Sequence, residues 1–540
     1  MAREQRKQAI QDPSKGNTGH LTAQEWILEA YVSLLLAVFL FYNTDRYFSI
    51  LSDRAWFFRT VTFVMAGALL IERLIRRLLH DGRKKAGVPG GSGDSIRKIP
   101  PEYLFLGAFL LVSAVSTFLS EYQAKAWNGE AGRLQGLSMW ILYGVAFFCV
   151  AHCFTPKRRH LYLFFVSGAV AAAWGICDYM GPGLSWWLLE VKETQKEMFT
   201  SSIGNINTYT AFIAICFSLS GAYIIHEKQA GENAWAALAF AFFLFSVALV
   251  TGRSDNAVVG ILAFFLAMPL AIDDTRQMGR YLTLLGFFII ALPFTGVLSQ
   301  YTTNPYISGK EGMLLIVSMN EGAAPYMVIL GCSLISIAIS LWVKGKPMRE
   351  FKGLWAVFLA VLAVMFAAVF IQANLYDLAG RYGAAGKYLK LNDDWGTYRG
   401  LCWRLAHESY GRFPLIKKLV GSGPETFGII MEQEHYQAMV SGCGQIFDSP
   451  HNELIQHLFC TGILGSVCYY GFLASCFVKG IRQNAAKKAS AMAILVYTAI
   501  SLVNISVPIT QPYLILLAAW CSGTENNVQQ EGKGTANVKK

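Results

Sequence analysis

NLYDLAGRYGAAGKYLKLNDDWGTYRGLCWRLAHESYGRFPLIKKLVGSGPETFGII at residues 374–430, continued by MEQEHYQAMVSGCGQIFDSPHN at residues 431–452, is a long polar stretch between two apolar runs. Almost everywhere else in the chain, apolar runs alternate with short polar connections. Irregular polar segments of this length are uncommon in a membrane protein unless they have a function. We therefore expect a large loop that covers a site on the outer face of a membrane.

The composition indicates one polytopic membrane domain rather than a string of soluble domains. Of the 540 residues, 54% are hydrophobic and 15% are charged. Soluble globular proteins carry roughly 25% charged residues. The deficit comes from repeated apolar runs that are long enough to cross a bilayer, which takes about 20 residues each. The first run begins near Trp26, behind a polar segment, so we expect no cleaved signal peptide.

The apolar runs predict an all-α polytopic membrane protein of about 12–14 transmembrane helices, with one large extracytoplasmic loop that carries amphipathic helices. The last run is short and follows Pro508, which is typical of a re-entrant segment or of one half of a broken helix. The predicted segments are 27–44, 56–78, 102–120, 134–154, 160–180, 205–225, 234–251, 255–272, 281–299, 325–343, 353–373, 453–478, 489–507 and 509–521.

Basic residues in the connections predict the orientation. Lys and Arg cluster before the first run and in the second, fourth, tenth and twelfth connections. We expect a multi-pass protein of the inner (cytoplasmic) membrane. The positive-inside rule assigns all of these basic clusters to its cytoplasmic side and the large loop to the opposite, extracytoplasmic side. The predicted regions are a cytoplasmic tail (1–26), transmembrane helices 1–11 (27–373), the large extracytoplasmic loop with the active site (374–450), the C-terminal transmembrane helices (451–521) and a second cytoplasmic tail (522–540).

Two shorter stretches carry local predictions. GVPGGSGDS at residues 87–95 has the composition of a flexible cytoplasmic linker. Trp186 and Trp187 lie in the long fifth connection, on the outer side in this orientation, and predict an interfacial helix at the level of the lipid headgroups.

Net charge and cysteine pattern exclude other classes of function. The net charge of +11 is no sign of nucleic-acid binding, because the cations lie mainly in connections on one side of the membrane. The eleven cysteines are scattered and form no C-x-x-C pair, so neither a zinc site nor a redox motif is indicated. Cys402 and Cys443 share the large loop, and either a disulfide or two unrelated thiols fits their positions.

Two arginines outside the large loop are candidate functional residues. Arg253 lies in a tight turn, TGRSDN, between two long apolar runs. A cation near membrane depth is costly unless it is paired or hydrated, and such residues are usually functional. The alternative is a helix-end Arg that extends to the interface, paired with Asp255. Arg133 opens a helix on the same face, with the same two alternatives.

Arg399 and Arg404 lie in the large loop within TYRGLCWRLAHESYGRF. Residues Cys402–Arg412 predict an amphipathic helix, with Trp403, Leu405 and Ala406 available to pack on the membrane surface. Its cations either meet lipid headgroups or bind a pyrophosphate, for which the guanidinium fork is well suited. GSGP at residues 421–424 either donates backbone N–H groups to an anion or is simply a turn.

His451 is the candidate general base. It lies in DSPHNEL, where the large loop re-enters the membrane, and Asp448 or Ser449 is the expected cap of the following helix. The intrinsic pKa of histidine suits removal of a proton from a hydroxyl near neutral pH. A helix N-terminus would keep the imidazole neutral. The alternative is a polar interfacial residue, and the chain offers competing histidines at His407, His435 and His457.

Four pieces of this sequence, in order, resemble the O-antigen ligase and O-antigen polymerase family of bacterial membrane glycosyltransferases. They are GNINTYTAFIA at 204–214, VTGRSDNAVVGIL at 250–262, YRGLCWRLAHESYGRFPLIKKLVGSGPETF at 398–427 and SPHNELIQHLFCTGILG at 449–465. The chain departs from the family pattern in three places. It has Gly252 before Arg253 and Tyr398 before Arg399 where the family has Ser and Gly, and it carries the insertion LIKKLV.

The resemblance implies that a glycan passes from undecaprenyl pyrophosphate to an acceptor hydroxyl on the outer leaflet, without a metal or another cofactor. It implies that Arg253 and Arg399, with Arg404 as a further contact, hold the pyrophosphate and stabilise its leaving charge. His451 would activate the acceptor, which is a glycan, a lipid or a protein. We add Arg133, Arg404 and Asn452 as donor-binding candidates, with Asn452 holding the imidazole ring or the acceptor.

Two other classes of function compete with this interpretation. A transporter or flippase for a lipid-linked or anionic solute would place charged residues deep within several spans, whereas the charges here gather at segment ends. A scaffolding membrane protein would not need an Arg and His cluster in one loop.

Overall fold

The computed structural model describes residues 22–81, 99–130, 133–181, 191–228, 231–307, 312–342 and 345–523. Most of the predicted N-terminal tail, the linker at 87–95, the interfacial Trp186 and Trp187, and most of the predicted C-terminal tail lie outside these described residues.

Within the described ranges the chain is almost entirely helical. One antiparallel pair of two-residue strands, β1 (Phe199–Thr200) and β2 (Gly204–Asn205), is the exception. Short 3-10 turns cover Arg46–Ser49 and Ala379–Ala385. The α-helices in chain order are α1 (Ala23–Ala37), α2 (Ile50–Asp81), α3 (Pro101–Leu119), α4 (Gln123–Asn128), α5 (Leu137–Cys153), α6 (Arg158–Met180), α7 (Glu193–Lys196), α8 (Ile206–His226), α9 (Glu232–Thr251), α10 (Asn256–Ala271), α11 (Thr275–Ser299), α12 (Met313–Ser318), α13 (Ala324–Trp342), α14 (Arg349–Leu375), α15 (Gly386–Leu389), α16 (Trp395–Arg412), α17 (Leu415–Val420), α18 (Phe427–Cys443), α19 (Glu453–Gly480), α20 (Ala485–Ser501) and α21 (Gln511–Ser522).

The architecture confirms the predicted all-α polytopic membrane fold. Each of the predicted apolar segments coincides with a helix. In the described ranges, 8 helices are long and apolar enough to cross a membrane by length and composition. Helices α5 and α10 are apolar but shorter. The break before the last segment runs from the end of α20 at Ser501 to the start of α21 at Gln511, around Pro508.

Helix α8 is the central helix of the bundle. From Thr208 to His226 every residue is buried, and the helix packs against α9, α10 and α20. A helix that is apolar on all sides is stable only when other helices surround it. In contrast, α13 and α14 leave most of their apolar side chains exposed, as expected of helices that face lipid. The bundle therefore has a fully buried central helix and an exposed apolar flank, suited to lipid, at α13 and α14.

Charged pairs close the end of the bundle opposite the large loop. Asp273, between α10 and α11, pairs with Lys352 at the start of α14 and with Lys488 at the start of α20, at 2.8 and 2.9 Å. Lys479 of α19 pairs with Glu102 of α3 at 2.5 Å. These contacts join helices that are distant in sequence, and leave the other end of the bundle to the loop.

The amphipathic helix predicted within the large loop exists as α16, but its apolar face does not lie on the membrane surface. Leu405 and Ala406 are buried in a small core that α16 forms with α18 and with Phe459 of α19. The indole N–H of Trp403 donates to the carbonyl of Pro450 at 2.7 Å. The expectation of membrane packing was therefore wrong, because α18 covers that face instead.

Candidate functional site

Two glycines fix the loop to the bundle. Gly421 has a φ of +85° and Gly462, within α19, has a φ of +68°. A Cβ at Gly421 would lie 2.2 Å from the carbonyl oxygen of Cys460, and one at Gly462 would lie 2.3 Å from the carbonyl of Leu419. Only glycine permits two backbones to approach so closely in this conformation. The GSGP stretch and the glycines of α19 therefore form one crossing.

This crossing decides between the two interpretations of GSGP. The N–H of Ser422 donates to the carbonyl of Phe459 at 3.1 Å, and the N–H of Gly423 donates to that of Cys460 at 2.9 Å. Both carbonyls belong to α19, where the positive φ of Gly462 interrupts the helix. These two N–H groups are thus occupied by protein, and GSGP is a turn that docks on α19 rather than an anion cradle.

The residue that caps α19 is Asn452. Its side-chain oxygen accepts the N–H of Ile455 at 3.1 Å. The expectation that Asp448 or Ser449 would be the cap was wrong, because the chain turns sharply at His451, which has a φ of +49°. A residue other than glycine is strained in this left-handed backbone conformation. The turn and the cap together set the direction in which the imidazole leaves the backbone.

Arg133 is held by two carboxylates beside this turn. Its Nε donates to Glu425 at 3.0 Å, and its Nη1 and Nη2 donate to the carboxylate and the carbonyl of Asp448, both at 2.8 Å. The guanidinium is 5% exposed. A buried cation needs such partners. The contacts tie the connection after α4 to the segment that leads into His451; donor binding by Arg133 stays a prediction.

His451 is half-buried and electrostatically biased toward the neutral form. Burial is the largest cause that holds its pKa well below the ordinary value. The guanidinium groups of Arg399 and Arg133 act in the same direction, and the carboxylate of Asp448 acts against them. Its Nδ1 has no hydrogen-bond partner among the described residues. The sequence indicated the neutral state through the helix N-terminus; the structure adds burial and two cations.

Arg399 lines a large cavity of about 920 Å³. One side of this cavity is apolar and belongs to membrane helices, with Val258 and Leu262 of α10 and Phe366 of α14. The other side is polar and comes from the loop and the start of α10, with further residues Asp255, Lys387, Tyr388, Lys390, Asn392 and Asp394. The cavity is therefore amphiphilic, with the cations at its loop end.

Among the described residues, the guanidinium of Arg399 has few partners. Its Nη1 donates to the carbonyl of Gly396 at 3.2 Å, and its Nε is buried without a partner among the described residues. Burial lowers its pKa, and the carboxylate of Asp255 acts in the opposite direction. Asp255 in turn accepts the N–H of Met313 at 2.8 Å. Arg399 is thus a half-buried cation with much of its donor capacity unused among the described residues.

The other two predicted arginines have different surroundings. Arg404 donates to both oxygens of Asp393, at 2.9 and 2.7 Å, and to Glu408 at 2.8 Å, on the exposed side of α16. Arg253 is 8% exposed, and its Nη2 donates to the carbonyl of Glu197. Among the described residues Arg253 lines neither the large cavity nor the one beside His451.

Sequence analysis missed a network of side-chain amides next to these residues. The Oδ1 of Asn207 accepts from Ser254 Oγ at 2.7 Å and from Asn256 Nδ2 at 3.4 Å. Asn504, in the break before α21, donates to the carbonyl of Asn207 at 3.2 Å. Both stretches, GNIN with Asn207 and GRSDN with Ser254 and Asn256, are visible in the sequence. That they contact each other is not, because they lie on different helices.

A buried carboxylate was also missed. Glu453, the first residue of α19, is 1% exposed, and its Oε1 accepts from Gln511 Nε2 at 2.9 Å and from Tyr497 Oη at 3.3 Å. These contacts join α19 to α20 and α21 directly after His451. Cys402 and Cys443 are both free thiols, which answers the question left open by their positions.

Comparison with known proteins agrees with the resemblance seen in the motifs. Residues 312–470 match the family described as O-Antigen ligase. The match spans α12 to the middle of α19 and so includes Arg399, His451 and the glycine crossing. No curated protein matches the chain. Residues 312–470 are therefore similar to an O-antigen ligase domain, and this match supports the family suggested by the sequence; the pieces at 398–427 and 449–465 lie inside the matched range, and those at 204–214 and 250–262 lie outside it.

Proposed function

We propose that the protein is a membrane glycosyltransferase that passes a glycan from a lipid-linked pyrophosphate donor, undecaprenyl pyrophosphate, to an acceptor hydroxyl. The O-antigen ligase domain supports a role in polysaccharide assembly. The observation that carries the finer proposal is the amphiphilic cavity of about 920 Å³ with Arg399 at its polar end. Its apolar wall suits a polyprenyl chain, and a half-buried cation with unused donors suits a pyrophosphate.

The chemistry follows from the positions of Arg399 and His451. The acceptor oxygen bonds to the anomeric carbon of the donor sugar, and the bond from that carbon to the pyrophosphate oxygen breaks. Arg399 stabilises the charge that develops on the leaving pyrophosphate. His451, neutral because of burial and its cationic neighbours, accepts the proton of the acceptor hydroxyl. Arg253 is proposed as a second cation of the donor site.

The orientation belongs to the same proposal. Basic clusters lie at the end of the bundle that holds Lys352 and Lys488, and the cavity lies at the other end. The positive-inside rule then assigns the cavity to the outer face of the inner membrane. A lipid-linked donor suits a reaction on that face, since breaking the bond between the sugar and the pyrophosphate drives the transfer and no nucleotide sugar is needed there.

The test is transfer by the purified protein in lipid nanodiscs, supplied with an undecaprenyl-pyrophosphate glycan and an acceptor. We expect release of undecaprenyl pyrophosphate together with glycan on the acceptor. Arg399→Ala should lower the rate about 100-fold or more, and Arg399→Lys should recover only part of it because a point charge cannot reproduce a two-pronged contact.

The matched control is Arg412→Ala, on the same helix, where the arginine pairs with Glu434 on the exposed side. It should transfer at nearly the native rate. Undiminished transfer by Arg399→Ala would contradict the donor site. Movement of the intact lipid-linked glycan across a bilayer without release of the pyrophosphate would favour the transporter instead.

A further inference from the structure

A second cavity lies next to the large one. It has a volume of about 330 Å³, and His451 is one of its lining residues. The others come from the connection after α1, from the start of α2, from the β1–β2 hairpin, from the start of α8 and from the break before α21. They include Tyr47, Phe48, Ile50, Phe199, Asn205, Asn207, Asn504 and Ile505.

The two cavities adjoin along a row of neighbouring side chains, and their lining residues do not overlap. Asn207 lines the smaller cavity and Asn256 lines the larger one, and their amides are hydrogen-bonded to each other. Neighbouring residues divide in the same way, since Val503 lines the larger cavity and Asn504 the smaller. His451 and Arg399 lie on opposite sides and interact electrostatically. The base and the cation of the proposed reaction thus face different compartments.

The amides of the smaller cavity have their oxygens occupied. Asn205 caps α8 through its Oδ1, which accepts the N–H of Asn207 at 2.8 Å. The Oδ1 of Asn207 is taken by Ser254 and Asn256. Within the described part of the chain, the NH2 groups of Asn205 and Asn207 therefore carry unused hydrogen-bonding capacity, and these donors match the ring, linkage and hydroxyl oxygens of a sugar.

The opposite side of this cavity is aromatic. The rings of Tyr47 and Phe199 pack edge to face with their centroids 4.1 Å apart, and Phe48 packs on Tyr47 at 5.5 Å. Phe48 is 62% exposed. A concave site with aromatic walls and a few fixed polar groups is the usual form of a small-ligand pocket. Aromatic faces beside amide donors suit the C–H face and the oxygens of a pyranose ring.

We propose that the smaller cavity is the acceptor subsite, and that its occupant is the terminal sugar of a glycan rather than a protein hydroxyl or a bare lipid headgroup. This inference rests on the proposed function. The acceptor sugar hydroxyl gives its proton to His451, and its oxygen bonds to the anomeric carbon of the donor sugar. The electron pair of the broken bond leaves with the pyrophosphate in the larger cavity.

The first experiment measures binding without catalysis. Free galactose, rhamnose and N-acetylglucosamine are the probes, and saturation-transfer NMR on the native protein in detergent is the readout. A sugar should bind to the native protein and to Phe63→Ala, whose exposed ring on α2 lies outside both cavities. Phe199→Ala should weaken that binding about 5- to 10-fold. Equal binding by Phe199→Ala, or no sugar binding at all, would overturn the subsite.

The second experiment separates the two substrates in the transfer assay. Asn205→Ser keeps a capping oxygen at the start of α8 but removes the NH2 group. This variant and Phe199→Ala should raise the KM for the acceptor about tenfold and leave the KM for the donor unchanged. A raised donor KM with an unchanged acceptor KM would assign the cavity to the donor sugar and overturn the proposal. So would faster glycan transfer to a serine-rich peptide than to any sugar acceptor.

The two proposals fail in different ways. Native protein that binds sugars in the smaller cavity but never releases undecaprenyl pyrophosphate would contradict the proposed function and leave the sugar site standing. Native protein that releases the pyrophosphate while Phe199→Ala and Asn205→Ser behave like Phe63→Ala would contradict the acceptor subsite alone.

Discussion

His451 combines three features: a left-handed backbone, a half-buried ring whose Nδ1 is shielded from solvent, and two cationic neighbours. The strained backbone costs roughly 1–2 kcal/mol. Strain of this kind persists only where the surroundings enforce it, and here Asn452 and Arg133 enforce it from either side. At the scale of the residue, the turn fixes the position from which the imidazole extends.

The protonation of His451 gives a prediction about pH. Its pKa is lowered, so the ring stays neutral to a lower pH than an ordinary histidine, whose pKa is about 6.5. The acid limb of kcat/KM for transfer should therefore lie below the usual histidine range. Arg399→Gln should move that limb upward, because it removes one of the cations that disfavour the imidazolium.

Arg404→Ala is the control for this profile, because Arg404 pairs with Asp393 and Glu408 on the exposed side of its helix. It should leave the acid limb in place. His451→Ala should lower turnover about 10²–10⁴-fold at all pH values while donor binding persists. An acid limb at the ordinary histidine pKa in the native protein would contradict the neutral-base assignment.

Arg133 gives a prediction about stability. Arg133→Ala leaves the carboxylate of Glu425 buried without its cation, and breaking such a buried pair costs about 3–5 kcal/mol. The thermal unfolding temperature of the detergent-solubilised protein should fall clearly. Arg404→Ala, which breaks exposed pairs, should cost less than about 1 kcal/mol. Equal melting temperatures for the two variants would show that Arg133 is not a structural tie.

At the scale of the element, the glycine crossing between the turn before α18 and helix α19 determines where the loop lies. Gly462→Ala puts a methyl group against the carbonyl of Leu419 in a backbone conformation that alanine disfavours. We expect it to detach the loop and to abolish transfer, and limited proteolysis should cut between α14 and α19 earlier than in the native protein. Gly411→Ala on α16 meets no atom within 4 Å and should behave as native.

The elements themselves were largely predictable, and the contacts between them were not. Apolar runs predicted every membrane helix, since a run of that length has few alternatives to a helix in lipid. The pairing of Gly421 with Gly462 depends on a crossing between distant parts of the chain, which no local pattern encodes. The apolar face of α16 was assigned to lipid because a sequence does not reveal that α18 competes for it.

The candidate site was predicted in the same uneven way. His451 and Arg399 were singled out because their side chains suit the chemistry and because they lie in a long polar loop, which is uncommon in a membrane protein unless it has a function. The partners of Arg133 were not foreseen, since Glu425 and Asp448 are far from it in sequence. Asn207 and Asn256 were hidden because amides give no charge signal.

At the scale of the whole molecule, the orientation gives a prediction about labelling. A cysteine at Asp393, which is exposed on the loop, should react with an impermeant thiol reagent in intact cells. A cysteine at Arg349, exposed at the opposite end of the bundle, should react only after lysis. Both measurements need the native thiols blocked or replaced. The reverse pattern would invert the molecule in the membrane and move the site to the cytoplasmic face.

The hydrogen bond between Asn207 and Asn256, which lies where the two cavities adjoin, has a consequence for the order in which substrates bind and products leave. With the donor in the larger cavity and the acceptor in the smaller one, as proposed, both substrates bind at the same time. The sugar then passes directly from donor to acceptor, and no covalent glycosyl-enzyme is needed. Initial rates at several donor and acceptor concentrations should give intersecting rather than parallel reciprocal plots, and undecaprenyl pyrophosphate should compete with the donor but not with the acceptor. In this arrangement, undecaprenyl pyrophosphate is exchanged for a new glycan-bearing donor while the acceptor glycan stays bound in the smaller cavity.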